Sequence, residues 1–391
     1  MPDITNIADL KALHRRRTPR MFYDYWKSGR WSEQTFRDNV TDYERIRFRQ
    51  RVAVDMSNRT LASTMLGQPV SMPAALGLIG SLGMQYPDGE ILAARTAVNF
   101  GIPLTLSTMS VCSIEDVREH VPEAPFWFQL YVMQDTVLVD EMIERARAAQ
   151  CSALVLTLDF QLLGQRHKDL KNGLSTPPKV RVRNMLDFAT RMRWSMGMAQ
   201  TPRRTFRNIV GHARNVGNLA SLSSWANEQF DPCLDWPKVE RIREKWGGKF
   251  VIKGILGPQD APLAVQAGAD AIVVSSHGGR QLEGALSSIR VLPSIVREVK
   301  GETEIWLDGG LRSGQNMLKA IALGADATLI GRAFVHGLSA MGEAGVTSAI
   351  NILRKEVDFT MALCGHRDTR DVNRDILLVP KDFEGEWADN A

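Results

Sequence analysis

His277-Gly278-Gly279-Arg280, inside SSHGGRQLEG (275–284), puts a proton acceptor and a planar cation within four positions. Imidazole is the side chain whose ordinary pKa suits proton removal near neutrality. Guanidinium offers paired donors that match a carboxylate, and the two glycines let a bound molecule approach the backbone closely. A second block, LDGGLRSGQNMLKAIALGADATLIGRAF (307–334), combines Asp308-Gly309-Gly310 with Gly331-Arg332. Asp-Gly-Gly alone is ordinary turn chemistry. Paired with Ile-Gly-Arg at the next strand end, it points to backbone amides facing a phosphate, with Arg312 and Arg332 adding charge. A third feature is Lys253 in the apolar run VIKGI, costly to bury unless it faces an anion.

These residues need strands to carry them. Eight short apolar or β-branched runs alternate with amphipathic stretches: 71–80, 102–108, 126–132, 153–159, 250–255, 271–278, 304–310 and 327–334. They read as strands buried on both faces. Helical stretches between them include GEILAARTAVNFG, SIEDVREHV, TVLVDEMIERARAAQ, PQDAPLAVQAGA, SSIRVLPSIVREVKG and GQNMLKAIALGA, several ending in a glycine that suits a helix C-cap. Eight such units predict a closed (β/α)8 barrel, an α/β fold, at about 70–340 within a single domain of 1–391. A doubly wound sheet would bind its nucleotide after the first strand, where SLGMQYPDG lacks the required glycine pattern. Here the Gly-rich loops follow strands seven and eight, where barrels bind phosphate. Residues 1–50 are polar and helix-prone, with aromatics at Phe22, Tyr23, Tyr25 and Trp26. A long insert, about 170–235, separates strands four and five.

With 391 residues, 44% hydrophobic and 24% charged, the chain has ample material for a core. A net charge of +4 gives no argument for nucleic acid. Cys112, Cys151, Cys233 and Cys364 form no CxxC pair, so neither a metal site nor a redox dithiol is expected. Reduced thiols and an N-terminus without an apolar signal core predict a cytoplasmic protein. No apolar run is long enough to span a membrane. The stretch 184–215 is different. It mixes Met, Trp and Phe with arginine, lacks lysine, and has Asp187 as its one acidic residue. That composition suits an active-site lid, an oligomer contact or an interfacial segment on anionic lipid, which would place the enzyme on the inner face of the cytoplasmic membrane.

The sequence resembles the FMN-dependent 2-hydroxy-acid oxidases and dehydrogenases from about residue 4 to about 375. SSHGGRQLEG, the 307–332 block, MFYDYWKSG (21–29), FQLYV (128–132), LTLD (156–159) and IKG (252–254) carry the resemblance. It implies a bound FMN and oxidation of an L-2-hydroxy acid, lactate-like or mandelate-like, to the 2-keto acid. His277 would be the base and Asp159 the group that stabilises its imidazolium. Arg280 and Arg166 would bind the substrate carboxylate; Tyr25 and Tyr131 would contact the carboxylate and hydroxyl. Lys253 would lie beside the flavin pyrimidine edge. Ser107, Gln129 and Thr157 would hydrogen-bond the flavin ring, and the Leu78–Ser81 loop with Gly80 would pass its N5. Ser275 would contact the cofactor, Asp308 its ribityl chain, and Gly310, Arg312, Gly331 and Arg332 its phosphate. The resemblance also implies a homotetramer. A basic, aromatic insert after strand four is similar to that of the membrane-associated dehydrogenases, which pass electrons to a quinone. The alternative is a soluble oxidase using oxygen and producing hydrogen peroxide.

Three places depart from the family pattern. Phe160-Gln161 replaces a small residue and proline, Leu78-Ile79-Gly80 replaces Pro-Thr-Ala/Gly, and Met109 stands where glycolate oxidase has tryptophan. Outside this family, a phosphosugar isomerase or a non-catalytic barrel would share only the phosphate site. A yellow protein that bleaches with an L-2-hydroxy acid separates these readings.

Overall fold

The computed structural model describes residues 3–162, 166–173, 182–213, 216 and 229–383. Parts of the expected insert, and residues 163–165 of the LDFQLLGQR loop, therefore lie outside the described residues. So do positions 214 and 215 of the basic stretch.

Eight parallel strands close into one barrel: β1 (Ala74–Leu76), β2 (Leu104–Ser107), β3 (Phe126–Tyr131), β4 (Ala153–Thr157), β5 (Lys249–Ile255), β6 (Ala271–Val274), β7 (Glu304–Leu307) and β8 (Ala327–Ile330). Each pairs with its sequence neighbours, and β8 returns to β1 through Thr328 opposite Ala74. This is the expected (β/α)8 architecture. Each expected strand is present, but the runs at 71–80, 271–278, 304–310 and 327–334 end three or four residues early, and the first also begins three residues late, at Ala74. Their last residues are functional turns, and Arg332–Phe334 already belong to a helix. Past β6 and β7 the runs consist of the polar and glycine residues Ser275–Gly278 and Asp308–Gly310, which leave the ladder to form turns.

The barrel interior is apolar and closed at its amino-terminal end. Trp127 and Trp306 stack at 4.9 Å across it, among Val155, Val251, Val273 and Leu329. A hairpin not foreseen from sequence, Ser63–Met65 with Gln68–Val70, places Met65, Leu66 and Val70 against the same cluster. Glu304 fixes both parts: its carboxylate accepts from Leu66 N–H at 2.8 Å and from Trp306 Nε1 at 3.0 Å. The opposite, carboxy-terminal rim is left for chemistry, as in barrel enzymes generally.

Three amino-terminal helices, Ile7–Arg17, Arg20–Trp26 and Gln34–Arg45, pack around that rim. Two further helices after β8, Arg332–Met341 and Glu343–Leu363, complete the layer. The insert contributes helices Val182–Thr190 and Met192–Gln200.

Candidate active site

The turns after β1 through β8 enclose a cleft of about 1250 Å³ including its mouth. His277 stands just beyond β6 with a φ of 52°, an uncommon conformation for a side-chain-bearing residue. That conformation aims the ring back over the barrel, where Nδ1 lies 2.8 Å from the Asp159 Oδ1 atom. Asp159 follows β4 and reaches the histidine because Gly254 leaves room. A Cβ on Gly254 would fall 2.7 Å from the Asp159 Cβ, and its φ of 106° disfavours any larger residue. Burial is the largest influence on His277 and lowers its pKa below the ordinary value; the Asp159 carboxylate opposes it. On Asp159 burial raises the pKa, but His277 and Lys253 outweigh it and the net direction is down. A neutral imidazole beside an ionised carboxylate is a base ready to accept a proton. With Nδ1 facing the carboxylate, Nε2 is the free acceptor.

Lys253 is buried near the end of β5. Its Nζ donates to Ser275 Oγ at 3.0 Å and lies 3.6 Å from Asp308 and 3.8 Å from Asp159. It therefore faces two carboxylates and also lines the cleft. Ser275 sits behind it, accepting as well from the His277 backbone N–H, and does not line the cleft itself.

Arg280 and Arg166 lie over the Tyr25 ring at 4.6 and 4.9 Å, and Arg280 Nη1 donates to the Tyr25 carbonyl at 2.7 Å. Arg166 is paired with Asp169. Arg280 and Arg332, both buried, and the half-buried Arg312 have no carboxylate partner among the described residues. Burial pushes the Arg312 guanidinium down to about 10, and it lowers Arg332 further, with Arg312 and Arg280 repelling it. Cations gathered without counter-ions mark a place where anions bind. Arg332 spends its donors on the carbonyls of Trp26, Gly278 and Ser28. Arg312 donates to the Leu311 carbonyl and is the freer candidate for a phosphate. Gly310 packs so closely on the Asn39 carbonyl that a Cβ would lie 1.5 Å from the oxygen, so no other residue fits that turn.

The floor of the cleft holds polar atoms in search of partners. Ser107 Oγ donates to Gln129 Oε1 at 2.7 Å, which leaves Gln129 Nε2 buried without one. Thr157 Oγ1 and Asp308 Oδ1 are in the same condition. Donors and acceptors beside the cleft, next to an arginine-bearing glycine turn, fit a polar heterocycle ending in a phosphate.

A model of FMN-dependent dehydrogenases matches residues 14–379. The chain belongs to that family. It is 43% identical over 377 residues to an L-lactate dehydrogenase of Actinobacillus pleuropneumoniae, covering 96% of this chain and 98% of the relative. An L-lactate dehydrogenase of Xanthomonas oryzae is also 43% identical, with 96% of each covered. Among solved structures, the monotopic membrane protein (S)-mandelate dehydrogenase aligns with a TM-score of 0.91 at 33% identity, over 97% of this chain and all of that one. A mandelate oxidase aligns at 0.81 and 32% identity, over 96% and 98%. The orphaned atoms at Gln129, Thr157 and Asp308 and the tight Gly310–Arg312 turn are of a chemistry that fits the FMN of this family.

Ser107, Thr157, Gly80, Gly331, Tyr25 and Tyr131 all line the cleft as expected, while Gln129 and Asp159 stand one layer behind. Sequence reasoning missed Trp26, Phe206 and Phe230 as lining residues. Phe160, noted only as a departure, lies 4.8 Å from Tyr131, 4.6 Å from Phe230 and 5.3 Å from His277 between ring centroids. Phe206 and Phe230 come from the insert, where no periodicity announces a pocket. Asn39 was also unseen: its side chain bonds Ser276 while its carbonyl braces Gly310.

Proposed function

We propose that the chain oxidises an L-2-hydroxy acid of lactate type to the 2-keto acid, with FMN held as described. The surplus of buried guanidinium groups above an orphaned polar floor supports this reading most directly. Arg280 and Arg166 bind the substrate carboxylate, and Tyr25 lies beneath both. Tyr131 holds the hydroxyl near His277, whose Nε2 takes one hydrogen of the substrate as a proton. Asp159 stabilises the imidazolium so formed, as a buried carboxylate does for a charged histidine. FMN supplies the two-electron acceptor for the remaining hydrogen. Thr157, Ser107 and Lys253 would hold the ring, with Gln129 behind Ser107, Asp308 would hold the sugar chain, and Gly310, Arg312, Gly331 and Arg332 the phosphate. Phe160, Phe206, Phe230 and Met109 keep water from the reacting carbon. Anaerobic addition of L-lactate to the yellow protein should bleach the flavin. Absence of bleaching with L-lactate, L-2-hydroxybutyrate and L-mandelate alike would reject the reaction class.

The acceptor is proposed to be a membrane quinone, reached from the inner face of the cytoplasmic membrane. No described helix is long and apolar enough to cross a membrane. The insert helices do expose Val182, Met185, Leu186, Met192 and Met196, with Val182 75% and Leu186 65% accessible. Such side chains suit a shallow, reversible contact with lipid. Likeness to a monotopic membrane protein favours the same arrangement. Oxygen consumption as fast as quinone reduction would favour the soluble oxidase instead. Self-association as a homotetramer is proposed through surfaces such as Val52, Phe359 and Leu363, all exposed apolar residues; light scattering tests it.

A further inference from the structure

Two buried histidines lie outside this chemistry. His14, on Ile7–Arg17, and His336, on Arg332–Met341, face each other with their Nδ1 atoms 3.0 Å apart. His14 Nε2 is 3.1 Å from Gln85 Oε1, and Gln85 Nε2 donates to the Phe22 carbonyl at 3.3 Å. All three side chains are almost completely buried.

The direction of this chain follows from valence. A carbonyl only accepts, so Phe22 fixes the Gln85 amide with its nitrogen outward and its oxygen toward His14. That oxygen requires a hydrogen on His14 Nε2. Neutral His14 then offers Nδ1 as an acceptor, and His336 must carry its hydrogen on Nδ1. One proton lies between the rings, and a second has no place there.

Each linked element carries part of the site. His336 shares a helix with Arg332. Gln85 ends the short helix that begins just after Ser81, a cleft residue. Phe22 lies one turn before Tyr25 and Trp26, whose carbonyls hold Arg280 and Arg332. The His14 ring also meets the edge of Tyr23 at 4.9 Å.

We infer that His14, His336 and Gln85 are positioning residues that set the helix Arg20–Trp26, and with it the grip of Tyr25 and Arg280 on the substrate carboxylate. This rests on the carboxylate assignment proposed above. A grip on the carboxylate is used equally before and during reaction, so loosening it raises KM more than it lowers kcat. The charged groups facing His336 are the cations Lys11, Arg312 and Arg332, while Arg15 and Asp24 flank Tyr23. Burial lowers the pKa of both histidines, that of His14 to about 3.

The test uses FMN-loaded protein and L-lactate with a soluble dye as acceptor. His14→Leu should raise KM roughly tenfold, change kcat by less than about threefold, and retain FMN. His336→Asn alone, whose amide can still donate to His14 from the position of Nδ1, should keep KM within about twofold of the parent. If His14→Leu does not fold, Gln85→Leu cuts the last link and should give the same split. Unchanged KM in the folded variants, equal losses in kcat and KM, or a His336→Asn enzyme as impaired as His14→Leu would each overturn the inference. A parent enzyme inactive on every 2-hydroxy acid would instead overturn the assignment beneath it.

Discussion

The barrel rim and the insert between β4 and β5 border one cleft but are built to opposite rules. At the rim, each chemical group lies at or just beyond a strand end and is tied to a second group: His277 to Asp159, Lys253 to Ser275, Arg280 to Tyr25. The insert itself divides. Its second half is docked on the barrel, with Asn208 buried and donating toward Ser107, Thr108 and Ser110. Arg203 pairs there with Asp88 and Asp116, and Arg207 with Asp116. Those arginines are engaged with protein carboxylates and are not available to lipid headgroups. Its first half does the reverse. Phe188 and Trp194 stack inward with Phe22, while Met185, Leu186, Met192 and Met196 face out. The lid and membrane readings of 184–215 would thus fall on different stretches: 201–213 walls the cleft through Phe206, and 182–200 exposes the apolar side chains.

If the rim is the seat of chemistry, its substitutions must outweigh any in the insert. The largest effect belongs to His277→Gln. It should keep FMN and lose about 10²–10⁴-fold in kcat, the usual cost of removing a general base. Near-normal turnover at saturating substrate would remove His277 from that role. Arg280→Lys should lower kcat/KM by about 10–100-fold, mostly through KM, because an ammonium cannot reproduce a planar two-point contact. Unchanged kcat/KM would place the carboxylate elsewhere.

Asp159→Asn should be milder, about 10–100-fold in kcat, as for other partners that orient a reactive histidine. Its sharper signature is the pH profile. The active His277 is neutral, so kcat/KM should rise with pH through its pKa, which burial places below the ordinary histidine value. Asp159 raises that pKa; removing the carboxylate lowers it further. The acid limb of the variant should therefore shift to lower pH. A limb that stays in place, or moves up, would show that Asp159 does not govern the imidazole.

The difference between the two regions also explains what the sequence made legible. The eight strands showed themselves because a strand buried on both faces must be continuously apolar. His277, Arg280, Lys253 and the Gly310–Arg332 turns were readable because each is a polar or glycine intrusion at such a strand's end. The helices Arg332–Met341 and Glu343–Leu363 were less visible, since the first is buried nearly all round and shows no polar face. Phe206, Phe230 and Asn39 were illegible for a different reason. Nothing local distinguishes them, and they enter the cleft only when distant segments fold over the rim. The resemblance supplied individual roles, such as Asp159 behind His277, that spacing alone does not give.

The smallest catalytic effect, and the most specific one, is expected from the outer insert. Met185→Ser, Leu186→Ser, Met192→Ser and Met196→Ser together remove the exposed apolar side chains without touching the inward Phe188–Trp194 stack. Withdrawing one such side chain fully from water contributes roughly 1.5–3 kcal/mol, so losing four should abolish a shallow lipid contact. Turnover with L-lactate and a soluble dye should stay within about twofold of the parent, because none of the four lines the cleft. The parent should sediment with anionic vesicles and the variant should remain in the supernatant. Arg193 and Arg183 flank the same surface, and each basic group near an anionic membrane adds about 1 kcal/mol, so salt should weaken the parent's binding. A variant that still sediments would move the membrane contact to another face. A parent that stays in solution with anionic vesicles at low salt would end the membrane proposal and favour oxygen as acceptor. Loss of dye-linked turnover in the variant would show that the outer helices shape the cleft after all, and the contrast between rim and insert would fail.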